Sequence, residues 1–93
     1  MKSERILIVD DTPENIRLLG AMLKQEYTIA FAETGAGALE TLNNQQIDLV
    51  LLDIMMPEMD GFEICRRIRA TPKLKDLPVI FLSAKADRES VMK

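Results

Sequence analysis

Three short apolar runs in this sequence each stop at an oxygen-bearing side chain: Ile6–Val9 at Asp10 and Asp11, Leu49–Leu52 at Asp53, and Val79–Leu82 at Ser83. Runs of this length, rich in branched residues and bounded by polar ones, read as buried strands. Laid side by side in a parallel sheet, they would gather three carboxylates and one hydroxyl at a single sheet edge. Carboxylates a few ångströms apart repel one another, so such a site either raises a pKa or takes up a hard cation. Mg²⁺ suits it, because that ion takes oxygen ligands, keeps several waters and combines one or two carboxylates with a phosphate oxygen. A carboxylate beside the ion can attack phosphorus and form an acyl phosphate. Asp53 is the best-placed nucleophile.

Taken singly, each of these residues has a plainer role. One of the pair Asp10 and Asp11 would cap the following helix while the other is solvated. Asp53 alone would be a turn residue at a strand end, and Ser83 a local hydrogen-bonder to the backbone. Their convergence on three separate strand ends favours a shared site.

The elements between the runs support a sheet. Thr12-Pro13-Glu14-Asn15 supplies an N-cap, a proline whose missing N–H costs nothing at a helix start, and an acid in the first turn. Ile16, Leu19 and Leu23 follow at helical spacing, with Arg17 and Lys24 on the wet side. From Tyr27 to Ala32 the apolar residues alternate, which predicts a second strand. Gly35 and Gly37 read as a turn before a short helix carrying Ala38, Leu39 and Leu42 and ending at Asn43-Asn44. Pro57 to Gly61 reads as a loop. A third helix then buries Ile64, Cys65 and Ile68 opposite a solvated face of Arg66, Arg67 and Arg69, closes at Thr71-Pro72, and is followed by the run from Val79. Asp87 would cap a last helix containing Val91 and Met92. Alternating strands and helices in this order imply an α/β fold, a parallel sheet covered on both faces, with ligands beyond the carboxyl ends of its strands.

Composition narrows the function classes. The chain has 93 residues, 47% of them hydrophobic and 29% charged, which suits one small globular domain. Its net charge is −3 and its basic residues are interspersed with acids, which argues against direct nucleic-acid binding. It contains no histidine, so histidine catalysis and histidine phosphotransfer within the chain are excluded, and any phosphohistidine belongs to a partner. The lone Cys65 suits a reducing cytoplasm. No signal-peptide pattern and no membrane-length apolar run is present. Gly35 and Gly37 lack the lysine of a phosphate loop.

The segments Ile6-Leu7-Ile8-Val9-Asp10-Asp11, Asp48-Leu49-Val50-Leu51-Leu52-Asp53 with Met55-Met56-Pro57-Glu58-Met59-Asp60-Gly61, and Pro78-Val79-Ile80-Phe81-Leu82-Ser83-Ala84 resemble the first, third and fourth strand motifs of response-regulator receiver domains. The resemblance spans essentially the whole chain. It implies a flavodoxin-like doubly wound parallel sheet of order 2-1-3-4, with phosphorylation on Asp53. It also implies Mg²⁺ held by Asp10, Asp11, Asp53 and the Met55 carbonyl. Ser83 would be the switch hydroxyl, and Ala84 would leave room for the phosphoryl group. Met55 and Lys85 match the variable positions that tune the lifetime of the acyl phosphate. Implied partners are a histidine kinase or histidine phosphotransfer protein, with an output domain in a longer chain and a dimer both left open. The opening Val9-Asp10-Asp11-Thr12-Pro13 leans toward receivers of hybrid kinases and multidomain regulators rather than chemotaxis proteins.

The sequence also departs from that pattern. A fifth strand with its aromatic switch residue, the lysine that follows it and the final helix cannot be placed, and Lys85 is not that lysine. The expectation is a receiver over residues 1–93 that is partial, ends near the start of its fourth helix, and leaves the fourth strand as an exposed edge. Two other functions compete with a signalling switch. A phosphorylation-independent scaffold would bind partners equally well with Asp53→Asn. An aspartyl-phosphate phosphatase would need two acids separated by one residue in its first motif, whereas Asp10 and Asp11 are adjacent.

Overall fold

Strands β1 (Arg5–Val9), β2 (Thr28–Ala32), β3 (Leu49–Asp53) and β4 (Val79–Leu82) alternate with helices α1 (Pro13–Leu23), α2 (Gly35–Asn44) and α3 (Gly61–Ala70). They are seen in a computed structural model that describes residues 4–82. All neighbouring strands are parallel and follow the order β2-β1-β3-β4, as the doubly wound pattern requires. β1 and β3 are the central strands, which is why Ile6–Val9 and Val50–Leu52 are apolar without alternation: each residue meets a covered face whichever way it points.

The two faces make two cores. Leu7, Val9, Val50 and Leu52 pack with Ala38 and Leu42 of α2 and Ile64 and Ile68 of α3. On the other face Ile6, Ile8 and Leu51 pack with Ile16 of α1, flanked by its Leu19 and Leu23. Full burial of a Leu or Ile side chain stabilises by about 1.5–3 kcal/mol, so the central strands carry much of the stability. Their register also sets the site. Val9 lies opposite Leu52, and Asp53 lies opposite Leu82, so Asp10 and Asp53 come one step past the same paired level. Ile80 on β4 is 52% exposed, in keeping with the expected outer strand.

The glycines after β2 correct the sequence reading. Gly35 and Gly37 belong to the first turn of α2, with negative φ, rather than to a preceding turn. Thr34 is the N-cap, its hydroxyl accepting the Gly37 N–H at 3.0 Å. A Cβ at position 35 would stand 3.0 Å from Met59 Cβ and 3.2 Å from Ile64 Cγ1, so close packing under the β3–α3 loop favours glycine there. Tyr27 lies outside β2 because its N–H closes the end of α1 on the Leu23 carbonyl, at 3.0 Å. Cys65 is only half-buried. Arg66 and Arg67 lie on the solvated face and pair with Glu63. Arg69 instead donates to the carbonyls of Lys75 and Leu77 at 3.0 and 2.8 Å, holding the loop that contains a short 3₁₀ turn at Pro72–Leu74. The helix expected from Asp87, with Val91 and Met92, lies outside the described residues.

Candidate metal and phosphoacceptor site

Asp10 extends the ladder one residue beyond β1, its N–H donating to the Ala32 carbonyl at 3.1 Å. That bond fixes its backbone at the sheet edge, and the side chain is only 3% exposed. One carboxylate oxygen, Oδ1, accepts the Thr12 N–H at 2.9 Å, and the other, Oδ2, accepts the Asn15 side-chain amide at 3.2 Å. Thr12 is the N-cap of α1 by position, yet its hydroxyl makes no capping bond. It donates to Asp11 Oδ1 at 3.5 Å instead. The expected role of an aspartate as helix cap is thus replaced: Asp10 serves the N–H of the N-cap residue itself.

Asp53 ends β3 and is 6% exposed, with Met55 N–H donating to its Oδ1 at 3.4 Å. Asp10, Asp11 and Asp53 each bring one carboxylate oxygen within 4.8 Å of the others. Asp10, Asp11 and Asp53 are thus close enough together that they would hold one hard cation. The donors are all hard oxygens, which fits Mg²⁺ rather than a softer metal.

The loop after Asp53 is tightly held. Its Met56 side chain is buried in the core while Met55 is 48% exposed. Met59 N–H donates to the Pro57 carbonyl at 2.7 Å across Glu58, whose φ is 71°, making a γ-turn. Asp60 caps α3, accepting the Glu63 N–H at 2.9 Å. Gly61 N–H donates to the Ile54 carbonyl at 2.9 Å, which docks the start of α3 on the backbone just past Asp53.

The geometry therefore brings Asp10, Asp11 and Asp53 together as the sequence suggested and sets Met55 beside them. Ser83, Ala84 and Lys85 lie outside the described residues. Sequence reasoning missed Asn15 as a neighbour of the site. Its one signal was position: it is the third residue of α1, where a side chain commonly reaches back over the helix start.

Residues 6–93 match the family described as "Response regulator receiver domain". This chain belongs to that family. Among its relatives, a probable cyclic di-GMP phosphodiesterase from Vibrio cholerae is 50% identical over 84 residues, covering 90% of this chain and 19% of that protein. The receiver chain thus spans under a fifth of the length of the first curated relatives it matches. The N-terminal domain of a response regulator receiver protein from Methanoculleus marisnigri superposes with TM-score 0.84 at 45% identity, covering 87% of this receiver and 67% of that chain. The receiver domain of a sensor histidine kinase from Pseudomonas aeruginosa, solved with a magnesium ion coordinated in its active-site cleft, gives TM-score 0.81 at 31% identity. That match covers 94% of this receiver and 75% of the other chain. Receivers of both response regulators and sensor kinases thus share its fold. Among the described residues no helix is long and apolar enough to cross a membrane.

Proposed function

We propose that this receiver accepts a phosphoryl group on Asp53 from the phosphohistidine of a partner kinase or phosphotransfer protein, with Mg²⁺, and relays the change as a signal. The observation that carries this reading is the trio of carboxylate oxygens within 4.8 Å at the ends of β1 and β3. Asp10 and Asp53 are buried with Asp11 half-buried beside them, and like charges this close repel one another. They suit a site that takes a cation and then a phosphoryl group.

In this mechanism Asp10, Asp11, Asp53 and the Met55 carbonyl would hold the ion. Bound Mg²⁺ supplies positive charge against the phosphoryl oxygens. The chain's own part is positioning. The end of β3 and the Met55 N–H aim the Asp53 carboxylate, and one of its oxygens forms the new O–P bond as the P–N bond to the partner's imidazole breaks. The electron pair of that bond returns to the imidazole nitrogen. By the family pattern Ser83 would be the switch hydroxyl, Ala84 the small residue after it, and Met55 and Lys85 the positions that tune the lifetime of the phosphoryl group. The receiver is a phosphoacceptor of the cytoplasm with at most slow self-dephosphorylation, rather than an enzyme of metabolism. Output domains belong to the longer proteins in which such receivers occur.

Intact-mass spectrometry after incubation with acetyl phosphate and Mg²⁺ tests the reading. The expected result is a gain of one phosphate by the parent, lost with EDTA and absent from Asp53→Asn. An unmodified parent, or equal modification of the Asn variant, would favour the scaffold instead.

A further inference from the structure

We infer that Asn15 is a positioning residue for the cation: its side-chain amide holds the Asp10 carboxylate so that an oxygen faces Asp11 and Asp53. The inference rests on the metal-dependent reading above and assigns a task to a residue outside the acid trio.

Asn15 occupies the third position of α1, after Pro13 and Glu14. In a capping box the residue there bends back to bond the N–H of the N-cap. Here that N–H, on Thr12, is already taken by Asp10 Oδ1 at 2.9 Å. The Asn15 amide passes over it and donates to Asp10 Oδ2 at 3.2 Å. Its own N–H donates to the Thr12 carbonyl at 3.0 Å, so the helix fixes the base of a short side chain with few rotamers.

The result is one donor on each oxygen of a carboxylate that is 3% exposed. An ionised carboxylate has about two acceptor sites per oxygen, so each oxygen keeps one for a metal while its rotation is restrained from both sides. The residue type matters as well. A carboxylate at position 15 would add a fourth negative charge next to the trio, whereas an amide orients Asp10 without changing its charge. Partners that orient metal ligands in this way are worth about 10–100-fold in affinity.

Calorimetric titration of the parent chain with MgCl₂, beside Asn15→Leu, Asn15→Gln and Glu14→Ala, tests the inference, with circular dichroism confirming that each variant is folded. Asn15→Leu keeps the side-chain size and removes the donor, and the expected result is Mg²⁺ binding about 10-fold weaker. Asn15→Gln keeps an amide and should retain more affinity than Asn15→Leu. Glu14→Ala perturbs the same helix turn without touching Asp10 and should bind as the parent does. Parent-like binding by Asn15→Leu, equal loss in the Leu and Gln variants, or an equal loss in Glu14→Ala would each overturn the positioning role while leaving the metal site standing. A parent that binds no Mg²⁺ would overturn the metal-dependent reading, and this inference with it.

Discussion

The carbonyl oxygen of Asp53 sits 2.5 Å from where a Cβ on Gly61 would fall. Helix α3 therefore starts hard against the strand end that carries the proposed nucleophile, and the Gly61–Ile54 backbone bond holds it there. Even a methyl group at position 61 forces the loop and β3 apart. Gly61→Ala is expected to lower stability by about 1–3 kcal/mol through overpacking. It should also weaken Mg²⁺ binding, because the displaced backbone carries Asp53. Urea unfolding with and without Mg²⁺ measures both effects, and an unchanged midpoint would show that the contact is easily relieved.

Asp11 gives the cleanest test of repulsion within the trio, since it is half-exposed and accepts no backbone N–H among the described residues. Asp11→Asn removes one charge from the cluster. In EDTA the variant should match the parent or gain up to about 1 kcal/mol. The parent's rise in melting temperature on adding Mg²⁺ should be largely lost in the variant, because only the native site binds the ion. A variant still stabilised by Mg²⁺ to the parent's extent would place the ion elsewhere.

Glu58 holds a φ of 71°, in the left-handed region that side chains with a Cβ adopt at a cost. Glu58→Gly removes that cost and adds unfolded-state entropy, and the net expectation is a gain of up to about 1 kcal/mol in thermal or urea unfolding. A clear loss of stability would mean that the Glu58 side chain, rather than the turn geometry, is what the loop needs.

Much of this architecture was legible in the residues because burial on both faces leaves a plain mark. The runs from Ile6, Leu49 and Val79 became β1, β3 and β4 within a residue of their expected ends, and the acids after the first two meet because both strands are central and level. Gly35 and Gly37 misled for a physical reason. Glycine favours turns in isolation, yet here Gly35 packs beneath Met59 and Ile64, and Gly37 lies against the Thr34 hydroxyl that caps the helix through its N–H. Arg69 left no mark in the sequence, and Asn15 only its position at the start of α1. Their partners, the Lys75 and Leu77 carbonyls and the Asp10 carboxylate, are fixed only once the 3₁₀ turn and the start of α1 have folded back.

Whether the phosphoryl group goes to Asp53 is read directly by borohydride trapping. Reduction of an aspartyl phosphate yields homoserine, so the chain is treated with acetyl phosphate and Mg²⁺, reduced, digested and sequenced by mass spectrometry. Homoserine is expected in place of Asp53, with Asp10 and Asp11 intact. Homoserine in place of Asp10 or Asp11, or none at any position, would contradict phosphorylation at Asp53.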